Sequence, residues 1–266
     1  MNKEIFLIEQ KPVLALDEFL HQYKNLSKIN PIKARKIIKN AMQSKSTHLQ
    51  DLELRWYKAL ERNHIDYFVY DDMYYLCELW YCWIKYSRKY LLSIRKNPIC
   101  KNIFTDSKSI IDLGCGIGYT TACLKQLFPE SNIFGTNIKG TKQYKFCKEM
   151  SKIYNFQIIP NITEISHQID LVFASEYFEH ILQPIIHLRR IIELLKPKYF
   201  IIANSFNTKA IGHFLTYIDF NKTLIPIKYS QTEISKQFNA VLRKAGYVKI
   251  QTNLWNNRPS FWKSVN

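Results

Sequence analysis

The run Ile110-Ile111-Asp112-Leu113-Gly114-Cys115-Gly116-Ile117-Gly118-Tyr119-Thr120-Thr121 constrains the fold more than any other part of the chain. A short apolar stretch with an acidic residue near its end meets a G-x-G-x-G turn, and the turn opens a helical pattern. Glycine is scarce, seven among 266 residues, yet five of them (Gly114, Gly116, Gly118, Gly135 and Gly140) fall between positions 114 and 140. Glycine inside a regular element costs about 0.5–1 kcal/mol relative to alanine, so such clustering marks backbone that must turn tightly or approach a ligand closely. Strand, glycine turn and helix together are the opening of a βαβ unit.

From Asp106 onward, apolar runs of strand length alternate with amphipathic helical stretches. Strands are expected over 109–113, 132–136, 157–159, 170–174 and 199–203. Helices are expected over 119–128, 141–154, 184–195 and 232–244, the last stopped by Gly246. A long irregular segment is expected over 204–229, and a closing hairpin from 247–254 to 260–265 across the turn Asn256–Pro259. The alternation predicts an α/β fold with a mostly parallel sheet and a C-terminal antiparallel hairpin. Before Asp106 the pattern is helical: 17–28, a helix opened by Pro31, 49–62, and a long aromatic helix over 72–95 capped by Asp71 or Asp72. The expected division is a helical cap over 1–105 and the α/β domain over 106–266.

Composition narrows the partners less than the glycines narrow the fold. Thirty-eight Lys and Arg against 22 Asp and Glu give a net charge of +16, which makes a nucleic-acid partner possible. The stretch between Glu18 and Asp51 has no acidic residue, and both a phosphate-tracking face and an ordinary solvated helix fit it. The excess is spread over both parts of the chain, not gathered in a basic tail. Six cysteines form no C-x-x-C pair and fit no zinc spacing, which predicts a reduced, cytoplasmic setting. The first residues lack the apolar core of a signal peptide, and charges interrupt the most apolar stretch, so no membrane association is expected. Oligomeric state stays open.

The glycine run lacks the G-x-G-x-x-G of dinucleotide sites. With Asp112 two positions ahead of its first glycine, it resembles the S-adenosylmethionine (SAM) loop of class I, Rossmann-like methyltransferases. The resemblance continues in order through Gly135-Thr136-Asn137, Pro160-Asn161-Ile162 and Asp170-Leu171-Val172-Phe173-Ala174-Ser175-Glu176-Tyr177-Phe178-Glu179-His180-Ile181, and then Leu195-Lys196-Pro197. It implies SAM as cofactor, with Asp112, Gly114, Cys115, Gly116 and Gly118 around its amino-acid end. Asn137 then stands where the family usually has an acidic residue on the ribose. Ile138 would pack on the adenine, Asn161 would contact its edge, and Ser175 would lie near the methyl group.

Substrates of open α/β sheets sit beyond the carboxyl ends of the strands. Glu176 and His180 are therefore the candidate proton acceptors for methyl transfer, with Tyr177 beside them. A loop-positioning role for Glu179-His180 stays open alongside. Standard routes to base amino groups or cytosine C5 are not expected: Ser175-Glu176-Tyr177-Phe178 replaces the motif of the amino-methylating DNA enzymes, and the chain has no Pro-Cys pair. Glu176, Glu179, His180 and a distal His213 resemble the metal-binding set of small-RNA terminal 2′-O-methyltransferases. The downstream His-rich segment of those enzymes is missing, and no metal is expected. Tyr75 and Trp80 on the aromatic helix, with Asn204 and His213 after the fifth strand, are the candidate substrate contacts. The expected function is SAM-dependent methylation of a nucleic acid or a small molecule. The alternatives are a catalytically inactive SAM-fold protein that binds nucleic acid, and a metal-assisted RNA ribose 2′-O-methyltransferase.

Overall fold

The computed structural model describes residues 20–21, 24, 30–42, 47–72, 75–77, 91–227, 233–252, 254 and 260–265. The helices α1 (Pro31–Met42), α2 (Thr47–Glu61) and α3 (Lys101–Asp106) precede the sheet. Strand β1 (Ser109–Asp112) lies between β2 (Asn132–Thr136) and β4 (Leu171–Ser175), parallel to both. Outside them β3 (Gln157–Ile159) pairs with β2 and β5 (Tyr199–Ala203) with β4, again in parallel. The sheet closes with β9 (Ser260–Ser264), antiparallel to β5, and β8 (Tyr247–Ile250) at the edge, in the order β3-β2-β1-β4-β5-β9-β8. The mostly parallel sheet with its terminal antiparallel hairpin is the expected one.

The central strands read as unbroken apolar runs because helices cover both sheet faces. Neighbouring residues alternate between two cores. Ile110, Leu171 and Ile201 face one core with Leu124 of α4 (Tyr119–Leu127) and Met150 of α5 (Lys142–Tyr154). Ile111, Val172 and Phe200 face the other with Leu188 of α6 (Pro184–Leu195) and Leu242 of α7 (Glu233–Lys244). The residues ahead of the sheet feed both cores: Leu76, Leu91 and Ile94 enter the first, Leu52, Trp56 and Val69 the second. They are thus packed into the sheet domain.

The chain leaves β1 toward β2 and β3, then crosses back to β4. The loops after β1 and β4 diverge there and open a crevice at the carboxyl ends of the strands. Gly118 starts α4 with a φ of 90°, where an added Cβ would stand 2.9 Å from Cys147 Sγ and 3.0 Å from Phe156 Cζ. Gly118→Ala is expected to destabilise the fold by about 1–3 kcal/mol, read as a lower urea midpoint.

Two local expectations are refined. Asp71 and Asp72 both cap, but on different elements. Asp72 Oδ1 accepts from Tyr75 N at 3.0 Å, whereas Asp71 Oδ1 accepts from Lys142 N at 2.7 Å, tying the segment ahead of the sheet to the first turn of α5. The segment after β5 is not wholly irregular. It carries the hairpin β6 (Thr216–Ile218) and β7 (Leu224–Pro226), turned by Asp219, whose Oδ1 accepts from the backbone of Asn221 and Thr223. At three residues each, and outside the βα alternation that revealed β3, these two strands were not singled out in the sequence. Trp80, most of the expected helix over 17–28, most of the aromatic helix and the turn Asn256–Pro259 lie outside the described residues. Among the described residues, no helix is long and apolar enough to cross a membrane, and Cys77, Cys100, Cys115, Cys123 and Cys147 are buried.

Candidate active site

A cavity of about 980 Å³ occupies the crevice and runs from the glycine loop to α2. On its loop side, Asp112 is 3% exposed and its Oδ2 accepts from Thr121 Oγ1 at 2.7 Å. Burial pushes its carboxyl up to about 7, the Thr121 bond opposing. Gly114 N donates to Thr136 Oγ1 at 2.8 Å, and Cys115 N to the Thr136 carbonyl at 2.9 Å. Asn137 Nδ2 donates to the Gly116 carbonyl at 2.5 Å, while its Oδ1 accepts from Ile138 N at 2.8 Å. Asn137 therefore ties the glycine loop to the end of β2. Ile138 stays half exposed in the cavity wall, and Asn161 Oδ1 accepts from Thr163 N at 3.1 Å. Gly118 is absent from the described lining; its role is the packing at the head of α4.

Across the cavity, β4 ends at Ser175 and the chain reverses at Glu176, whose φ of 51° is left-handed. That conformation costs a non-glycine residue about 1 kcal/mol or more, and the surroundings hold it: Glu176 N donates to the Ala203 carbonyl at 2.8 Å. The reversal leads into a short 3₁₀ turn, Phe178–His180, nailed down by Phe178, whose ring meets Phe238 edge-on at 4.7 Å. Glu179 is 0% exposed. Its Oε1 accepts from Ser205 N at 2.8 Å, and its Oε2 has no hydrogen-bond partner among the described residues. A carboxylate oxygen of Glu179 lies within 4.8 Å of one of Glu176, and two carboxyls can share a hydrogen bond only when one of them is protonated. Burial and then Glu176 hold the Glu179 carboxyl well above the usual carboxylate range.

Three histidines stand here in the neutral form. Desolvation and then His213 push His180 down to about 3, and burial with Arg190 pushes His187 down to about 4. Burial also lowers His213. His213 Nδ1 lies 2.8 Å from the Thr208 carbonyl, which only accepts, so Nδ1 carries the hydrogen and Nε2 keeps its lone pair. Donor atoms of Glu176, Glu179 and His213 lie within 4.8 Å of one another; His180, the fourth member expected from sequence, stands outside that group. The Tyr177 hydroxyl bonds His187 Nε2 at 2.9 Å, and its ring packs against Gly114, so Tyr177 braces the loop as well as lining the cavity.

Of the expected substrate contacts, Tyr75 and His213 line the cavity. Asn204 is absent from the described lining, and its Oδ1 is buried without a partner among the described residues. The sequence reading missed the groups that roof the site. Trp56 Nε1 donates to the His213 carbonyl at 2.7 Å, the Tyr57 hydroxyl bonds both backbone groups of Ala210, and the Tyr70 hydroxyl meets His180 Nδ1 at 2.8 Å. Their one signal was aromatic density at 56–57 and 67–70, overshadowed by the longer aromatic run that follows.

A buried acid at the mouth of a glycine loop, a second strand end tied to it, and carboxyl and imidazole groups facing both across one cavity agree with a family model for a methyltransferase domain, which matches residues 87–252. The chain belongs to this methyltransferase family. It is a SAM-dependent methyltransferase, and S-adenosylmethionine is its cofactor. The fold of this methyltransferase is similar to that of a protein described as an O-methyltransferase from Nostoc punctiforme PCC 73102 (TM-score 0.54, 12% identity, 85% of this chain and 72% of that one). It is also similar to an O-methyltransferase family protein from Burkholderia thailandensis (TM-score 0.51, 11% identity, 82% and 71% covered). PigF, in a structure with S-adenosylhomocysteine, is similar too (TM-score 0.52, 10% identity, 82% and 70% covered). At these identities the likeness concerns fold. No curated protein matches the sequence.

Proposed function

We propose that this methyltransferase acts on an oxygen of a small molecule enclosed between the glycine loop and the helical cap. The observation that carries this reading is the cavity of about 980 Å³. It stands at the upper end of the 300–1,000 Å³ typical of small-ligand sites, which suits a cofactor with a compact acceptor beside it. Its charge supports the same reading. Among the described residues, the charged groups lining it away from the loop are Glu53 and Glu176, and the basic one, Lys139, neighbours Ile138 on the cofactor side. A phosphate backbone would meet carboxylates there despite the +16 of the whole chain. Two of the similar folds are named as O-methyltransferases.

The residues suit the cofactor. Asp112 is a buried acid whose pKa burial raises, and a cation against it, the ammonium of the methionine moiety, would bring back its charged form. Gly114, Cys115 and Gly116 offer close backbone; Asn137, Ile138 and Asn161 line the adenosyl side, and Ser175 the methyl side. SAM supplies a methyl group on a cationic sulfonium. Glu176, at the cavity wall, takes the acceptor's proton, and Glu179 behind it completes a carboxyl pair able to hold one proton between them. His180, with a pKa of about 3, is too weak a base for that task and orients the acceptor as a neutral ring. Incubating the protein with a cell extract and methyl-labelled SAM tests this reading. Label is expected in the dialysable, nuclease-resistant fraction; label confined to nuclease-sensitive polymer overturns it.

A second reading is favoured by the grouping of Glu176, Glu179 and His213 donors within 4.8 Å, with Glu179 Oε2 unpartnered among the described residues and His213 Nε2 holding its lone pair. Carboxylate and imidazole donors suit Mg²⁺ or Mn²⁺, which would acidify an acceptor hydroxyl, a ribose 2′-hydroxyl among them. Mn²⁺ is then expected to raise the melting temperature of the wild type and not of Glu179→Gln; equal responses reject the metal.

A further inference from the structure

We propose that the acceptor carries a cationic nitrogen as well as the oxygen to be methylated, and that Glu53 on α2 binds that cation. The inference rests on the reading of a small acceptor enclosed in the cavity and names its chemical class, a hydroxyl compound that is also an amine. Glu53 lines the cavity together with the rings of Tyr67, Tyr70 and Tyr75. It stands outside the group of donor atoms that Glu176, Glu179 and His213 bring within 4.8 Å, so it is a second charge, separate from the reacting end.

Helix geometry places the carboxylate. Leu49, Glu53 and Tyr57 recur every fourth residue and so share one face of α2. That face is turned to the cavity: Leu49 and Glu53 line it, and the Tyr57 hydroxyl bonds both backbone groups of Ala210, itself in the lining. Glu53 is half-buried, and it has no ion pair among the described residues. The neighbouring cation of the same helix is committed elsewhere. Arg55 Nε donates to Asp66 Oδ2 at 2.6 Å, and Asp66 Oδ1 accepts from Phe68 N at 3.1 Å. These two bonds tie the 3₁₀ turn Tyr67–Asp71, and with it the tyrosine wall, to α2. Tyr67 and Tyr70 are stacked with centroids 6.5 Å apart, and Tyr75 is tilted against Tyr70 at 6.4 Å.

These groups select by charge. A half-buried carboxylate attracts a cation more strongly than one in open water, because less of its field is screened. Aromatic faces are electron-rich, so they attract an ammonium and give a carboxylate nothing. Glu176 adds a second acidic group at the reacting end, and no basic residue among the described lining stands on that side. An anionic acceptor would enter against both acidic groups, and a neutral one would leave Glu53 without a partner. An amine answers Glu53 while its hydroxyl lies toward Glu176.

Three phenols that differ in the charge of their tails test this: tyramine, a cation, N-acetyltyramine, which is neutral, and para-hydroxyphenylacetate, an anion. Each is titrated by calorimetry into the full chain saturated with S-adenosylhomocysteine. The wild type is expected to bind tyramine roughly tenfold or more tighter than the other two. Glu53→Gln is expected to erase that preference. Glu53→Lys is expected to turn it toward the carboxylate, a gain that misfolding cannot imitate. Binding of none of the three, equal binding of all three, a wild-type preference for the anion, or a tyramine preference that survives in Glu53→Gln overturns the proposal. The labelled-extract experiment separates this inference from the reading beneath it. Once unreacted SAM is removed, dialysable label is expected to be held by a cation exchanger at neutral pH. Dialysable label that passes through overturns the amine and leaves small-molecule methylation standing. Label confined to nuclease-sensitive polymer overturns small-molecule methylation itself, and the amine with it.

Discussion

Replacing Asp112 by asparagine is expected to flatten part of the pH dependence of stability and to weaken S-adenosylhomocysteine binding roughly thirtyfold or more. Burial lifts the Asp112 carboxyl from 3.8 to about 7 in the folded chain. Between those values the unfolded chain releases this proton while the folded chain still holds it. Stability therefore falls as pH rises through that window and levels off above it. About three pKa units correspond to about 4 kcal/mol at most. Asparagine has no proton to lose and keeps an acceptor for Thr121 Oγ1. Glu179, whose pKa is also raised, adds a fall of the same sign to both proteins, so the difference between the two curves isolates Asp112. Urea titrations of the cofactor-free chain at pH 5 and pH 8 give that difference. The affinity loss follows from removing one partner of a buried charge pair, about 2 kcal/mol or more, and calorimetry reads it. Parallel pH curves, or unchanged affinity, would contradict the role given to Asp112.

Trp56→Ala is expected to cost about 3–5 kcal/mol, a large share of the 5–15 kcal/mol that holds a typical domain together. Trp56 is 0% exposed, packs edge-on to Phe214 at 5.6 Å, and donates its indole hydrogen to the carbonyl of His213. Trp56→Phe keeps most of the bulk and leaves that buried carbonyl without its donor, an expected loss of about 1–3 kcal/mol. Both variants should expose residues 208–214 to limited proteolysis before the sheet unfolds. A Trp56→Ala protein as stable as the wild type would mean that α2 does not hold the roof of the cavity.

The sheet was legible in the sequence because its central strands are buried on both faces, so runs such as Leu171-Val172-Phe173-Ala174 stand out whatever surrounds them. The glycine loop was legible because its geometry is local: strand, turn and helix follow one another. The roof was not. Tyr70 meets His180 across 110 residues and Trp56 meets His213 across 157, and no local pattern announces a partner at such distance. Asn137 illustrates the intermediate case. Its position at the end of β2 was readable, but the bond from its amide to the Gly116 carbonyl exists only once β1 and β2 are paired. Glu176, Glu179, His180 and His213 were readable only as a set resembling metal ligands; folding groups three of them and pairs the fourth with Tyr70.

The most direct test is a crystal structure of the chain with S-adenosylhomocysteine. The amino-acid end is expected against Asp112, Gly114 and Gly116, the adenosyl group between Asn137, Ile138 and Asn161, and the sulfur toward Ser175 and Glu176. An enclosed space should remain between that sulfur, His180, Tyr70 and Glu53, of a size for a small acceptor. Binding elsewhere, or a sulfur opening onto an unroofed surface groove, would contradict methylation of a small molecule beneath the cap.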